Sequence, residues 1–398
     1  MKNPSQTELA MLSARAHALM RPLPPLSRGD DGALSPQSRE QFAALARTIL
    51  RRNRAIGASI VLVSPGGAQD VFCFGRARLN PDLPVTPDTC FRVASVSKLV
   101  LSFGALSLVE DGRLALDEDA GAYLGYPLRN PHAPDVPVTL RMLLTHTASL
   151  RDEGAYGSRG MEEGCTLCEL LEDGENWLPQ APGTDFHYSN FGAGVAGVIM
   201  ERAAGKPLDD ILRERIFAPL SIRAGYDPRR ITPHGDIANG YAVRAFLPPR
   251  LRYDADALSA RPPQPFDPER DFLCAAGRMI TDAHGLGALL RLLGARGDTN
   301  VLSGASLELM RTDQTGMGGI AHAGRGLNVA FLPDVLPGRS LAGHQGVAYG
   351  MCAEMFVDLC SGAGVGIMTN GVRLVRTRPL MRAGFDLLAL GFAALGSV

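Results

Sequence analysis

Apolar positions in residues 36–54 (PQSREQFAALARTILRRNR) recur at Phe42, Leu45, Ile49 and Leu50, the spacing of a helix that buries one face. Ser35 or Ser38 can cap its start, because a hydroxyl there accepts from an amide the helix leaves unpaired. Two shorter runs, Ala58 to Val63 and Asp70 to Phe74, flank Ser64-Pro65-Gly66-Gly67 and predict a β-hairpin. The segment Phe91 to Glu110 (FRVASVSKLVLSFGALSLVE) is apolar nearly all round, which predicts a central, buried helix. From about 116 to 270 short helices alternate with Gly/Pro loops; helices are predicted from Phe191 to Ala204 and Leu208 to Phe217, and a surface loop from Leu247 to Phe272. Strand patterns return at Cys352 to Leu359 and Gly364 to Met368, around a Ser361-Gly362 turn, and residues 379–395 read as a final helix. Strands at both ends with helices between them predict an α+β fold whose sheet is built from both ends of the chain around a helical insertion.

Composition narrows the function. The 398 residues carry 40 basic and 41 acidic side chains, so no positive surplus is available to neutralise a phosphate backbone and nucleic acid is not an expected partner. An apolar fraction of 45% with 20% charged residues excludes disordered, collagen-like and coiled-coil classes. The first twenty residues carry Glu8, Arg15 and His17 and read as a short amphipathic helix rather than an export signal. The apolar stretch Leu387 to Val398 is too short to span a bilayer, so no membrane partner and a cytoplasmic location are expected. The seven cysteines are an odd number. Cys73, Cys90, Cys274, Cys352 and Cys360 lie in apolar settings and are expected to be buried free thiols of a reducing compartment. Cys165 and Cys168 form a lone CxxC without further ligands.

Three short patterns can carry chemistry. In Ser95-Val96-Ser97-Lys98, residues three apart share a helix face, so a hydroxyl and an amine can approach each other. A serine becomes a nucleophile when a base takes its proton, and a lysine can be that base where burial disfavours its charge. Only three lysines stand against 37 arginines, so a lysine in an apolar helix points to a need for an amine able to lose a proton, which arginine does not do; the bland alternative is a lysine that snorkels to the surface. Tyr188-Ser189-Asn190 precedes the helix from Phe191: tyrosine can shuttle a proton, and Asn190 offers a donor and an acceptor to a lysine and a substrate amide. Ser189 or Asn190 also suits a helix cap. His344-Gln345-Gly346 is the weakest signal, since His322-Ala323-Gly324 repeats it. His344 is preferred because a strand and a Gly-rich turn follow, where glycine admits a substrate backbone and the next amide can face an oxyanion.

Other patterns lead elsewhere. Gly192 to Gly197 matches a dinucleotide fingerprint without the buried strand that must precede it, so these glycines are expected to serve helix packing and no cofactor is expected. There is no GxSxG elbow. His146 stands without an acid or thiol cluster and is expected to be structural, and His132, His187, His234 and His284 lack metal-binding spacing, so no metal is expected.

Taken together, Ser95-x-x-Lys98, Tyr188-x-Asn190 and His344-x-Gly346, with the stretches LVEDGRLALDEDAGAYL, VTLRMLLTHTASL, APGTDFHYSNFGAGVAGVIMERAAGKPLDDILRERIFAPL and LAGHQGVAYG, resemble the penicillin-recognising serine hydrolases: class C β-lactamases, D-alanyl-D-alanine carboxypeptidases, D-aminopeptidases and related esterases. The resemblance runs from about residue 40 to 395. It implies an antiparallel sheet flanked by N- and C-terminal helices, with an inserted helical domain and a cleft between. The expected organisation is an arm, 1–34, and a catalytic domain, 35–398, with a sheet part (35–90 and 273–398) and a helical part (91–272). By carry-over, Ser95 is the acylated nucleophile, Lys98 and Tyr188 shuttle its proton, and Asn190, His344 and Gly346 bind substrate. The backbone amides of Ser95 and Val347 form the oxyanion hole. The implied reaction is acyl transfer through Ser95 on a small amide, peptide or ester, with or without a D-residue. The alternatives are weak class C-like β-lactamase activity or a non-catalytic penicillin-binding protein. Three departures stand out: His344 replaces the lysine of class C β-lactamases, Ala148-Ser149 stands where Ser-Gly is usual, and Arg278 occupies a common glycine position.

Overall fold

The computed structural model describes residues 6–20, 26–154, 165–315 and 325–396, apart from 232, 234–235, 245–246, 264, 273, 334 and 378. His322-Ala323-Gly324 and His234 lie outside the described residues. The N-terminal segment forms the expected helix, α1 (Gln6–Met20), though without a marked apolar face, and α2 (Pro36–Arg52) follows, capped by Ser35, whose hydroxyl accepts from the Ser38 amide. Strands β1 (Gly57–Val63), β2 (Gln69–Leu79) and β3 (Asp82–Pro84) make the predicted hairpin and extend it. The main helices of the middle are α3 (Ser97–Glu110) and α4 (Asn190–Ala204). After α5 (Ala283–Gly294), the chain returns through β4 (Ala330–Pro333), β5 (Ser340–Ala348), β6 (Met351–Asp358) and β7 (Gly364–Thr369), then ends on α6 (Arg382–Ala394).

The sheet order is β4-β5-β6-β7-β1-β2-β3, so β1 and β7, from opposite ends of the sequence, are central neighbours. Every pairing is antiparallel. All seven residues of β1 are buried, because both faces of the sheet are covered. Ala58, Ile60 and Leu62 enter a core with α2 and α6, whereas Val61 and Val63 enter a larger one with α3, α4 and α5. The close approach of α4 to the short helix Cys274–Gly277 explains its glycines: a Cβ at Gly197 would lie 2.7 Å from that of Ala275, and one at Gly194 2.7 Å from the Phe272 carbonyl oxygen.

Several sequence expectations need correction. The helix predicted from Phe91 begins at Ser97; Phe91–Arg92 is a strand paired with Ile280–Thr281, and Ala94 takes a left-handed φ of 47° that breaks the chain direction before the helix. An unbroken apolar run conceals that change because both conformations are buried. The segment from Leu208 is α-helical only to Leu212 and π-helical over Arg213–Phe217. Residues 247–272 are not all loop: Arg250–Tyr253 is a strand and Ala255–Ser259 a helix, anchored by buried Tyr253 and Ala255. All seven cysteines are free, but only Cys90 and Cys352 are buried; Cys360, on the β6–β7 hairpin turn, is exposed.

One buried acid lies between sheet and helix. Glu354 on β6 is fully buried, accepts from the Gln345 amide, and lies so close to α6 that a Cβ on Gly384 would collide with it. Burial pushes its carboxyl up to about 8 from an ordinary 4.5. The native state therefore keeps a proton that the unfolded chain releases, so this group lowers stability as pH rises from 4.5 towards 8. Glu201, held up to about 7 by burial, acts in the same direction. Urea unfolding is expected to show lower stability at pH 8 than at pH 6.5, and Glu354→Gln to shrink that difference by about 2 kcal/mol. An unchanged difference would refute the protonated state of Glu354.

Candidate active site

Ser95 is half-buried on a 3-10 turn, Ala94–Val96, immediately before α3. Ser97 stitches this turn in place: its hydroxyl donates to the Ala94 carbonyl at 2.6 Å and accepts from the Met279 amide at 3.1 Å. One turn on, Lys98 is fully buried, which excludes the snorkelling alternative. Its Nζ donates to Ser95 Oγ at 3.3 Å, Asn190 Oδ1 at 2.8 Å and the Ala276 carbonyl at 2.6 Å. The buried nitrogen thus has three polar partners within hydrogen-bond reach, as burial of a polar group requires.

Asn190 is the first residue of α4, and Ser189 is its cap, accepting from the Gly192 amide at 2.9 Å. Behind both stands Asp152. Its carboxylate accepts from Ser189 Oγ (3.2 Å), the Asn190 amide (3.0 Å), Asn190 Nδ2 (2.7 Å) and the Phe191 amide (3.0 Å). A negative charge at a helix N-terminus is stabilised there by unpaired amides. Because Nδ2 is held by Asp152, Asn190 must turn Oδ1 towards Lys98. Sequence reasoning missed Asp152: it lies 38 residues from Asn190, and no spacing rule links them.

The Tyr188 ring lies over Lys98, with Nζ 5.0 Å from its centroid; its hydroxyl makes no hydrogen bond among the described residues. Two histidines flank it, His146 at 4.5 Å and His344 at 6.0 Å between ring centroids. His146 therefore lies beside the site residues rather than apart from them, where it packs on Tyr188 and accepts a backbone hydrogen bond. Its Nδ1 accepts from the Ser189 amide at 3.2 Å, which places the proton on Nε2, a buried atom without a partner among the described residues. Asn328 Oδ1 is in the same state, and both residues line a cavity of about 10 Å³, the size of one water. His344 donates from Nδ1 to the Gln345 carbonyl at 2.6 Å, which leaves Nε2 as an acceptor. Burial, with Lys98 next in effect, lowers its pKa to about 3 and holds His146 well below its ordinary value, so both rings are neutral at pH 7.

His344 and Gly346 lie within β5 rather than ahead of a strand. The neighbouring β4 pairs only as far as Gly343, so from His344 onward β5 has no strand on its outer edge. That free edge runs past the Ser95 turn: a Cβ on Gly346 would lie 2.1 Å from the Val93 carbonyl oxygen and 2.9 Å from the Ser95 amide nitrogen. Only glycine permits this approach. The half-buried Val347 follows it. The turn, the relay residues and the strand edge together can hold a carbonyl carbon near Ser95 Oγ. His132 and His284 lie outside this constellation, and no cluster of three or more His, Cys, Asp or Glu suited to a metal occurs among the described residues.

A beta-lactamase family model matches residues 42–386. The chain belongs to the beta-lactamase family. Within it, the chain is 30% identical over 357 residues to the esterase EstB of Burkholderia gladioli, covering 81% of this chain and 87% of that protein. Among solved structures, EstCE1, a hydrolase with promiscuous acyltransferase activity, superposes with a TM-score of 0.70 at 24% identity, covering 90% and 98% of the two chains. The D-amino acid amidase of Ochrobactrum anthropi SV3 gives 0.69 at 24% identity, covering 89% and 98%. The chain has the antiparallel sheet and mixed helices of this family and is one of its serine hydrolases.

The departures from family sequence now have a physical reading. Ser149, at the usual glycine position, takes a φ of 61°. A non-glycine residue there costs about 1–2 kcal/mol. Ser149→Gly relieves this at an unfolded-state entropy cost of about 0.5–1 kcal/mol. The net gain expected in urea denaturation is about 0.5–1 kcal/mol, and a loss of stability would refute the strain. Arg278 pairs with Asp271 at 2.6 Å instead of leaving the position open. No helix of the described residues is long and apolar enough to cross a membrane.

Proposed function

We propose that the protein hydrolyses small carboxylic esters, and amides more slowly, through an acyl-enzyme on Ser95. The observation that carries this reading is the buried Lys98 amine, hydrogen-bonded to Ser95 Oγ and held by Asn190 Oδ1 and the Ala276 carbonyl. Ser95 Oγ attacks the carbonyl carbon while its proton passes to the Lys98–Tyr188 pair. The carbonyl oxygen becomes an oxyanion facing the amides of Ser95 and Val347. The leaving alcohol or amine departs with the relayed proton, and water then releases the acid by the same route in reverse. Asn190 aligns the lysine and accepts a substrate N–H in an amide. His344 and Gly346 line the strand edge.

Esters come first for two reasons. The 30%-identical relative is an esterase. His344 is neutral, so it supplies no fixed charge for the carboxylate of a penicillin or a C-terminal D-residue. Loss of one charge-assisted contact is worth about 1.5–3 kcal/mol, roughly 10–150-fold in kcat/KM. The same reading divides the chain into an arm, 1–34, and a catalytic domain, 35–398. Its helical part (91–272) supplies Ser95, Lys98, Tyr188 and Asn190; its sheet part (35–90, 273–398) supplies His344, Gly346 and Val347. Seven unpaired cysteines support a reducing compartment such as the cytoplasm.

The test is intact-mass analysis after exposure to a fluorophosphonate, with kinetics on a p-nitrophenyl ester and a chromogenic cephalosporin. An adduct mapped to Ser95 and a preference of at least about 10-fold for the ester are expected. Failure to form any adduct, or equal use of the cephalosporin, would overturn the proposal.

A further inference from the structure

A cavity separate from the cleft at Ser95 opens elsewhere on the molecule. It is about 450 Å³ and lies on the side of α1, α2 and α6, lined by Arg15 and Ala18 of α1, Ile49, Arg52 and Asn53 at the end of α2, Arg373 and Val375 after β7, and Arg382 and Asp386 of α6. Four guanidiniums therefore meet one carboxylate. That carboxylate is already engaged: Arg15 donates to Asp386 from Nε at 2.6 Å and Nη2 at 2.5 Å, a bidentate pair with Asp386 buried.

Arg52, Arg373 and Arg382 are exposed, and their guanidiniums have no hydrogen bond or ion pair among the described residues. This contrasts with the arginines elsewhere that hold carboxylates, such as Arg129 with Asp119 or Arg229 with Asp227. Like charges gathered around one concavity repel, and a bound anion relieves that repulsion. The cavity has a second source of positive potential. Arg382 begins α6, a 13-residue helix with no side-chain cap and no acidic residue in its first turn, so the positive end of the helix dipole adds to the field there.

We propose that this cavity binds a phosphate monoester or diphosphate borne on a small organic body. A carboxylate satisfies one guanidinium fork, whereas the oxygens of a phosphate dianion can accept from several at once. Ala18, Ile49 and Val375 give the rest of the wall an apolar character that suits a carbon skeleton. The volume falls within the range of pockets for small molecules. The site is independent of the chemistry at Ser95, because none of its residues touches Ser95, Lys98 or Tyr188.

Isothermal titration of the full chain with inorganic pyrophosphate and with ADP, at constant low ionic strength, tests it, with adenosine as the uncharged control. Saturable one-to-one binding of both anions is expected, with Kd at or below about 1 mM, and none of adenosine. Arg52→Gln and Arg373→Gln are each expected to weaken binding at least 5-fold, and the double variant to abolish it, with ester turnover unchanged. Both positions are exposed, so retained turnover reports a folded protein; if the double variant fails to fold, the single variants decide. Absence of saturable binding by both anions, or unchanged affinity in the Arg52→Gln and Arg373→Gln proteins, overturns the proposal.

Discussion

Ser95→Ala is expected to lower ester turnover by a factor on the order of 10⁴–10⁶, the scale of removing a nucleophile from a serine relay. The change removes one oxygen from a half-buried turn and no large apolar group. Lys98 keeps its acceptors at Asn190 Oδ1 and the Ala276 carbonyl, so no buried amine is left without a partner. Stability is therefore expected to move by less than about 1 kcal/mol in urea denaturation. The fluorophosphonate adduct should vanish from the intact mass together with the activity. Parental rates in the variant, or an adduct that persists on another residue, would remove Ser95 from the reaction.

Asp152→Ala is the second large effect, and it separates positioning from contact. The carboxylate holds four donors, two of them backbone amides of the first turn of α4. Losing it leaves those groups without their acceptor, at an expected cost of about 2–4 kcal/mol. Asn190 also loses the bond on Nδ2 that points Oδ1 at Lys98. Misplacement of a catalytic group by about 1 Å costs on the order of 10²-fold, so kcat is expected to fall by about that much with little change in KM. Asp152→Asn keeps one acceptor oxygen, and its stability should lie between the parent and the alanine variant. If the folded alanine variant retained its kcat, Asp152 would be a helix cap and nothing more.

Much of the architecture was legible because burial imposes periodicity. The helix over 36–54, the hairpin that follows, the β6–β7 pair and the closing helix all have an apolar face that must meet a core. Ser95 and Lys98 were legible together because helical geometry ties residues three apart, and the scarcity of lysine made the second informative. Legibility ended where conformation is local and strained, or where partners are distant. The left-handed residues Ala94, His146 and Ser149 fall inside ordinary-looking sequence. Cys360 was misjudged because a hairpin turn carries an apolar-flanked residue into solvent.

Taken by itself, the sequence determined the α+β class, the strands at its two ends, and the residues Ser95, Lys98, Tyr188, Asn190, His344 and Gly346 as the place to look. The class follows from periodicity, Ser95 with Lys98 from helical spacing and the scarcity of lysine, and the full set from its resemblance to the penicillin-recognising serine hydrolases, all properties a chain carries before it folds. The tertiary structure alone decided that Asp152 holds Asn190, that His146 and His344 flank Tyr188 as neutral rings, and that the edge of β5 is free past Gly343. It also decided that four arginines from four separate segments share one cavity. Those facts are distances between residues far apart in the chain and the desolvation they share, and neither exists until the sheet has closed around the helices.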